Sequence, residues 1–340
     1  MTGVVRFGAG SLAELGEVLD EVGIERALLV TTRRGAHSVS GLPVVGVYDG
    51  VEPHVPAATV QACAALALEL GVDGLVGLGG GSAVDTCKAV AAELAASGAN
   101  PPRVVAVPTT YAGAEWTSFF GVLQEPGRKG GGSDPRSRPV AAVYDPALTL
   151  ELPLGATVGT ALNALAHCAE AYYHPATGEA ASLEADAGAA AIAEALPRVV
   201  EQPASLGGRT RLLEGAMHAA LALGLSGLCL AHAMAQGLGG RYGLPQGAMN
   251  ALCLPAALRF NAEAVPEEVA RFTAALGSED GPTRCEELAR LGGFERLRQY
   301  AVEEADLGGV AEEIAGRPGA RANPRPAPAA EIERLLLEIW

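Results

Sequence analysis

Short, valine-rich apolar runs alternate with amphipathic stretches over about the first 150 residues. The runs are bounded by turn residues and predict buried strands. They cover residues 27–31, 44–48, 74–79, 104–109 and 141–144. Helical periodicity lies between them, at about 11–22, 56–70 and 82–97. This alternation predicts a mostly parallel sheet with helices on its faces.

One connection departs from this pattern. Only residues 32–43 separate the strand that ends near Thr31 from the strand that starts at Val44. A parallel crossover normally takes a dozen or more residues and contains a helix. The sequence therefore predicts that the helix is missing here or that the crossover is a bare loop.

From about residue 155 onward, Ala- and Leu-rich stretches with a 3.6-residue period replace the strands. They cover about 158–173, 180–200, 208–237, 247–262 and 266–276. A proline-rich arm over 317–328 precedes a last helix over 329–339. The chain is thus predicted to have an α/β domain over 1–152 and an all-helical domain over 153–340.

Composition excludes several classes of partner. Lys and Arg number 24 against 39 Asp and Glu, so the formal charge of −15 disfavours nucleic acid and anionic membranes. Hydrophobic residues make up 49% of the chain, which is too apolar for disorder. No apolar run reaches the length of a membrane span, about 18 residues, and the first residues do not resemble a signal peptide. The six cysteines form no CxxC pair, which favours reduced thiols in a cytoplasmic protein over structural zinc or disulfides.

A glycine-rich segment follows the strand that ends near Leu78 and opens a helix near Ser82. Its residues Gly79, Gly80, Gly81 and Ser82 let backbone N–H groups approach a pyrophosphate, and the helix start adds about 0.3–1 kcal/mol of attraction for an anion. The segment is not G-x-G-x-x-G, so it does not predict a standard Rossmann site. Candidate cofactor contacts in and near it are Asp85, Lys88, Thr109 and Thr110.

Three pairs of imidazole and amide side chains are spaced four residues apart in the helical half. They are Asn163 with His167, His232 with Gln236, and Gln246 with Asn250. Each pair shares one face of its helix if the segment is helical. The turn over 239–245 is predicted to fold the helix of His232 back against that of Gln246. A lone histidine is usually a core residue. Histidine is scarce in this chain, with six in all, which favours a functional role for His167 and His232.

These motifs identify a resemblance that covers nearly the whole chain. The chain resembles the group III, iron-containing alcohol dehydrogenases, and most closely their maleylacetate reductase branch. The strings that carry the resemblance are residues 7–12, 48–56, 79–88, 108–115, 144–146, 163–167, 238–245 and 323–326. The resemblance implies a dinucleotide-binding α/β domain, a helical domain and a cleft between them. NADH or NADPH would lie with its pyrophosphate on Gly79–Ser82 and its nicotinamide end near Thr109 and Thr110. Such relatives are often dimers, so a homodimer is compatible with the resemblance.

The resemblance also shows where this chain departs from the family. The metal-ligand positions of metal-dependent relatives, one Asp and three His, fall here on Asn163, His167, His232 and Gln246. A further family histidine near the nicotinamide falls on Gln236. Amide oxygens are poor ligands for Fe²⁺ or Zn²⁺, so we expect no tightly bound metal. The short connection over 32–43 removes part of the expected adenosine pocket.

Two functions from different classes remain at this point. The first is a metal-independent NAD(P)H reductase of a small carboxylated ketone or enone. Its proton donor would be His167, His232 or Tyr111, because reduction requires a proton as well as a hydride. Asn163, Gln236 and Gln246 would contact the substrate. Candidate carboxylate anchors are Arg128, Lys129, Arg136, Arg241 and Arg325, with 128–133 also a candidate flexible lid.

The second function is a non-redox dehydratase, isomerase or cyclase of a biosynthetic pathway, with His167 and His232 as acid and base.

Overall fold

The computed structural model describes residues 3–36, 41–125 and 128–340, without the side chains of residues 36, 125, 128 and 129. Its chain divides into two compact units. The first contains residues 1–110 and 114–151, and the second contains 111–113 and 152–340. The division at 151/152 lies one residue from the predicted boundary. The segment 111–113, expected in the first domain, instead belongs to the helical unit.

A six-stranded parallel sheet forms the centre of the first unit. Its strands are β1 (Val4–Phe7), β2 (Ala27–Val30), β3 (Gly46–Tyr48), β4 (Gly74–Gly79), β5 (Arg103–Pro108) and β8 (Ala141–Tyr144). Their order is β1-β8-β5-β4-β2-β3, and every pair is parallel. The parallel sheet and the α/β class are therefore confirmed. Strand β1 was not predicted.

Helices cover both faces of this sheet. They are α1 (Leu15–Glu21), α2 (Arg33–Ala36), α3 (Ala57–Glu69) and α4 (Gly81–Ala96). Strand β2 shows why its run is uniformly apolar. Leu28 and Val30 pack into the core with α3 and α4, whereas Ala27 and Leu29 pack into the core with α1. A strand buried on both faces has no polar side, so it lacks an alternating pattern.

The short connection between β2 and β3 contains one turn of helix, α2. The prediction of a connection without a helix is therefore wrong for residues 33–36. A turn begins there because the Thr32 hydroxyl accepts a hydrogen bond from the Gly35 N–H group. Residues 37–40 of the predicted loop lie outside the described part of the chain.

A second, antiparallel sheet consists of β6 (Phe119–Glu125) and β7 (Arg128–Ser133). The sequence analysis placed a flexible lid here, and the described backbone instead pairs as a β-hairpin. At Gly131 an added Cβ would lie 2.8 Å from the Phe120 carbonyl oxygen, so the two strands approach closely. Glycine is rare in strands, and its run over 130–132 concealed this one.

The second unit is helical throughout its described length. Its helices are α5 (Leu154–Tyr173), α6 (Glu179–Glu201), α7 (Leu206–Leu225), α8 (Leu230–Tyr242), α9 (Gln246–Asn261), α10 (Pro266–Ala275), α11 (Gly281–Arg290), α12 (Leu307–Ala315), α13 (Pro318–Ala322) and α14 (Ala329–Ile339). The proline-rich arm contains the short α13, and α11 and α12 were not predicted. Short 3₁₀ turns lie at Ser11–Glu14, Ala114–Trp116, Pro135–Ser137, Pro146–Thr149, Leu297–Tyr300 and Glu304–Asp306.

The stretch predicted as one helix over 208–237 is two helices, α7 and α8. They are separated at residues 226–229 and bent by 101°. Among the described helices, none alone is long and apolar enough to cross a membrane. The bent pair α7–α8 meets that test only by combined length and composition. Helix α8 ends at Gly243, whose left-handed φ of 66° lets the chain turn into α9.

Candidate active site

The start of α4 presents uncapped backbone N–H groups, which we call the phosphate cradle (Gly79–Ser82). Gly80 is the N-cap residue, and no side chain accepts a hydrogen bond there. Gly79 has φ +156°, and an added Cβ would lie 2.9 Å from the Ala83 Cβ. The first N–H groups of a helix lack intrahelical partners and attract anions. The cradle therefore has the form required to hold a phosphate group.

Thr109 and Thr110 lie at the end of β5, beside this cradle. The Thr109 N–H donates to the Gly79 carbonyl at 2.9 Å. A Cβ at Gly80 would lie 3.3 Å from the Thr110 hydroxyl oxygen, which is buried and has no hydrogen-bond partner in the described part of the chain. A buried polar atom without a partner is uncommon in proteins and is expected where a ligand binds.

Asp85 and Lys88 have partners within the first unit. Lys88 is buried, and its Nζ lies 2.7 Å from an Asp85 oxygen. It also donates to the Ala114 carbonyl at 3.0 Å and to the Phe119 carbonyl at 2.7 Å. The second Asp85 oxygen accepts from the Gly121 N–H. This pair fastens the β6–β7 hairpin to α4, and a cofactor role for Asp85 stays a prediction.

The two predicted histidines of the helical unit meet face to face, and we call them the histidine pair. His167 on α5 and His232 on α8 stack with ring centroids 4.7 Å apart and planes within 9°. Both side chains are buried. His167 Nδ1 and His232 Nε2 have no hydrogen-bond partner among the described residues. The pair thus presents open ring nitrogens in a buried setting, as a substrate site requires.

Asn163 has every polar atom engaged. Its amide nitrogen donates to the Ala112 carbonyl at 3.0 Å, and it lies 3.4 Å from His167 Nε2. Its oxygen accepts from the Asn250 amide at 2.6 Å. A carbonyl can only accept, so the Asn163 atom that faces the Ala112 carbonyl is the NH2 nitrogen. The same NH2 group lies 3.4 Å from His167 and donates to its Nε2. A contact between Asn163 and the substrate stays a prediction.

Gln246 begins α9, and Gln236 follows His232 by one turn on α8. Both polar atoms of the Gln246 side chain are buried, and so is the Asn250 side-chain oxygen; none of the three has a partner among the residues that the structure describes. An added Cβ at Gly239 would lie 3.6 Å from the Gln246 oxygen, an ordinary contact distance. An amide with both a free donor and a free acceptor suits a polar ligand.

The segment 111–113 runs along the face of α5 that leads to the histidine pair. The Tyr111 N–H donates to the Thr160 hydroxyl, and the Ala112 carbonyl meets Asn163 as described above. At Gly113 (φ +78°) an added Cβ would lie 3.1 Å from His167 Nδ1. Only glycine allows this close approach without strain. The segment thereby fixes the position of His167.

Tyr111 has a buried hydrogen-bond partner, Arg209. Its hydroxyl accepts a hydrogen bond from Arg209, which also donates to the Thr157 hydroxyl and the Pro203 carbonyl. Arg209 is 2% exposed, and no described carboxylate lies within ion-pair distance of it. Sequence reasoning missed this buried cation, because one arginine in a helix carries no motif. Proton donation by Tyr111 stays a prediction.

The predicted carboxylate anchors have partners of their own where their side chains are described. Arg136 pairs with Asp134 at 2.8 Å, Arg241 with Glu313 at 2.6 Å and Arg325 with Glu263 at 3.0 Å. All three are thus engaged with carboxylates in this structure. The side chains of Arg128 and Lys129 lie outside the described part of the chain.

Burial lowers the tendency of His167 to take up a proton. Burial, with a smaller contribution from the His232 ring, holds the pKa of His167 well below its usual range. His167 is therefore neutral near pH 7. Since Asn163 donates to its Nε2, the proton of the neutral ring lies on Nδ1. His232 instead has a carboxylate partner, Glu170, 2.7 Å from its Nδ1.

The donor set fits an iron or zinc ion poorly. The lone pairs of two stacked, nearly parallel imidazoles lie in separate planes and do not converge on one point. The Asn163 oxygen is already used by Asn250. Within the described residues no group of three or more His, Cys, Asp or Glu side chains is placed to hold a metal. These are not the converging imidazole and carboxylate ligands that such ions prefer.

Comparison with known proteins defines the class. The iron-containing alcohol dehydrogenase family matches residues 2–146, and the C-terminal domain of Fe-containing alcohol dehydrogenases matches 157–340. The chain belongs to the iron-containing alcohol dehydrogenase family. It is therefore an enzyme, an NAD(P)-dependent oxidoreductase, as the sequence analysis predicted.

Particular relatives are maleylacetate reductases. The chain is 39% identical to the maleylacetate reductase of Pseudomonas knackmussii over 311 residues, covering 89% of this chain and 86% of that one. The crystal structure of maleylacetate reductase from Agrobacterium tumefaciens superposes with a TM-score of 0.89 at 31% identity, covering 99% and 96% of the two chains. An iron-containing alcohol dehydrogenase from Corynebacterium glutamicum gives a TM-score of 0.90 at 32% identity, covering 100% and 95%. The predicted resemblance is confirmed.

Proposed function

We propose that this chain is a metal-independent, NAD(P)H-dependent reductase of a small carboxylated ketone or enone of the maleylacetate type. The observation that carries the proposal is the buried histidine pair, whose open ring nitrogens have no partner among the described residues. The identity to maleylacetate reductases over nearly the whole chain supports the substrate class.

The residues that would hold the cofactor are those of the phosphate cradle, with Thr109 and Thr110 next to it. NAD(P)H, when bound, supplies the hydride of the reduction. The uncapped N–H groups at the start of α4 would receive the pyrophosphate. The partnerless Thr110 hydroxyl offers one more hydrogen bond to the bound molecule.

The histidine pair supplies the proton. Addition of a hydride leaves negative charge on the substrate, and a proton must neutralise it. Because Glu170 binds His232 at Nδ1, the Nε2 atom of His232 is the one that can donate to a substrate. His167 is neutral near pH 7, so its stacked ring adds no competing positive charge beside His232.

A neutral amide would bind a carboxylate of the substrate. The Gln246 amide donor has no partner among the described residues, whereas the described arginine anchors are occupied by carboxylates. Arg209 is buried in the same unit, but its guanidinium already donates to Tyr111, Thr157 and Pro203. We therefore place Gln246 among the substrate contacts.

Metal independence follows from the donor set and is tested by chelation. Protein dialysed against EDTA is expected to retain its reductase rate to within twofold. A rate that disappears on chelation and returns with added Fe²⁺ or Zn²⁺ would contradict the proposal.

The activity is tested directly with maleylacetate and NADH or NADPH. We expect saturable nucleotide binding in a fluorescence titration and oxidation of one nucleotide per substrate consumed. Absence of nucleotide binding would refute the reductase. Conversion of substrate without nucleotide oxidation would favour the non-redox alternative instead. The biosynthetic role raised with that alternative fits poorly with relatives that are maleylacetate reductases.

A further inference from the structure

A buried glutamate connects α5 to the start of α8. Glu170 lies one turn after His167 and is fully buried. Its carboxylate accepts hydrogen bonds from three donors: the Cys229 N–H at 2.7 Å, the His232 N–H at 3.1 Å and the His232 ring Nδ1 at 2.7 Å. The sequence analysis did not single this residue out.

Two of these bonds replace a cap that α8 lacks. Cys229 is the N-cap residue of α8, and no side chain caps the helix from there. Glu170 reaches across from α5 to the N–H groups of Cys229 and His232. A negative charge at a helix N-terminus is also favoured by the helix dipole. Glu170 thus determines where α8 begins and therefore where His232 lies.

The third bond determines which ring nitrogen is open. A carboxylate can only accept, so the His232 Nδ1 carries a proton in both charge states of the ring. The Nε2 atom is then the site where a transferable proton is gained or lost, and it has no partner among the described residues. In a neutral imidazole without hydrogen-bond partners, the proton can move from one ring nitrogen to the other. Glu170 prevents this in His232 by accepting the Nδ1–H hydrogen bond.

The other ring of the pair has no such partner. His167 receives only the 3.4 Å contact from the Asn163 amide at Nε2, and its Nδ1 faces the Gly113 backbone. Asn163 and Glu170 thus both place the ring proton on Nδ1, but only His232 has a carboxylate partner there and an Nε2 atom with no partner among the described residues.

We propose that Glu170 is the positioning residue that makes His232, and not His167, the proton donor of the reaction. This inference rests on the reductase function proposed above. Glu170 acts by fixing the start of α8 and by binding His232 at Nδ1, so that Nε2 faces the substrate.

The test is Glu170→Gln, read by ¹⁵N NMR of histidine-labelled protein and by steady-state kinetics. One glutamate oxygen accepts from both Cys229 and His232, so an amide leaves at least one of the three donors without an acceptor. Because an amide can present either its oxygen or its NH2 group to Nδ1, we expect the His232 ring, assigned by its absence in His232→Gln, to populate the Nε2–H tautomer in addition to the Nδ1–H tautomer. We expect kcat to fall at least tenfold, with KM for the nucleotide within twofold. Glu170→Asp, which keeps the carboxylate, should restore part of kcat.

The chain contains a matched control for this experiment. Glu184 forms the same contact with His218, 2.6 Å from its Nδ1, on a half-buried surface of the helical unit. Glu184→Gln should alter the His218 signals and leave kcat unchanged. If Glu170→Gln leaves the His232 tautomer or kcat unchanged, the inference is wrong. If Glu170→Gln does not fold, the wild-type spectrum decides: a neutral His232 ring with its proton on Nε2 would contradict the inference, and a proton on Nδ1 would support it.

The two proposals fail in different ways. A wild-type protein that neither binds nor oxidises NAD(P)H refutes the reductase function, whatever the NMR shows. A wild-type protein that reduces maleylacetate while the Glu170→Gln variant keeps full kcat refutes only the role of Glu170.

Discussion

The phosphate cradle and the histidine pair differ in the atoms that they offer to a ligand. The cradle of Gly79–Ser82 offers backbone N–H groups, placed by a strand and a helix that are adjacent in sequence. The histidine pair offers side-chain nitrogens from two helices, and its rings meet only because α5 and α8 fold together. One site is encoded locally, and the other depends on tertiary structure.

This difference has a consequence for the metal-ligand positions of the family. A cradle made of backbone tolerates few changes, because an added Cβ at Gly79 or Gly80 meets neighbouring atoms at 2.9–3.1 Å. A site made of side chains can be changed one residue at a time. The resemblance implies that Asn163 and Gln246 stand at positions of metal ligands, and in this structure Asn250 engages the Asn163 oxygen. The helical unit can thus change its chemistry while the cradle is retained.

The largest effect is expected from His232→Gln. We predict that kcat falls about 100- to 10,000-fold, the usual loss when a general acid is removed. Nucleotide affinity should stay within threefold, because the cradle is untouched. Pre-steady-state and steady-state rates of NAD(P)H oxidation with maleylacetate measure the change, together with a nucleotide titration.

Two further variants sharpen this result. His167→Gln is expected to lower kcat less, by about tenfold, because His167 lacks a carboxylate partner. His218→Gln removes a histidine that does have one, outside the pair, and should leave kcat unchanged. Equal losses in His167→Gln and His232→Gln would contradict the assignment of distinct roles to the two rings.

The second effect is expected from Gly80→Asp, which tests the cradle. An aspartate at the N-cap would direct its carboxylate at the N–H groups that we propose bind the pyrophosphate. We predict about a 100-fold loss of NAD(P)H affinity, equal to about 2.7 kcal/mol. Helix α4 should still form, since Gly80 has the extended backbone of an N-cap residue and aspartate is a favoured cap. The added Cβ would lie 3.1 Å from the Thr110 methyl carbon, so that side chain must shift slightly.

Gly80→Ser is the matched variant for this test. Serine also caps the helix but carries no charge, so we expect a smaller loss of about tenfold. Isothermal titration gives the affinities, and thermal melting shows that both variants fold. Nucleotide affinity within threefold of wild type in Gly80→Asp would exclude these N–H groups as the phosphate site.

The sequence predicted the cradle for the same reason that it predicted the parallel sheet. Strands β2, β4, β5 and β8 are uninterrupted apolar runs, and the glycines after β4 stand next to a clear helix start. The β6–β7 hairpin escaped prediction because Gly130–Gly132 lacks strand composition. Local pattern was therefore sufficient where the composition is typical of the element, and it failed for the hairpin although its two strands are neighbours in sequence.

The break between α7 and α8 shows where that logic fails. The apolar periodicity continues through residues 226–229, so nothing local ends the helix except a Ser-Gly pair. The acceptor that stabilises the new helix start is Glu170, 59 residues earlier than Cys229. The spacing of His232 and Gln236 predicted a shared helix face, but no spacing in sequence could show that His232 stacks on His167.

The smallest effect concerns stability, and His167 contributes to it. The pKa of His167 is lowered by burial in the folded protein, whereas an unfolded histidine titrates near pH 6.5. Below that pH the unfolded chain takes up a proton that the native His167 does not. The free energy of unfolding should therefore decrease as the pH falls, by at most about 1.4 kcal/mol per pH unit from this residue.

His167→Asn removes this contribution and leaves the other titrating groups in place. We expect urea unfolding between pH 6.5 and 5 to give a shallower slope of stability against pH for the variant than for wild type. Loss of ring packing will lower the stability of the variant at every pH, so the comparison is between slopes and not between absolute values. The cradle offers a contrast, because Gly79–Ser82 contains no group that titrates in this range. Identical slopes would mean that His167 is readily protonated in the folded state, which would contradict the neutral ring that the proposed mechanism assigns to it.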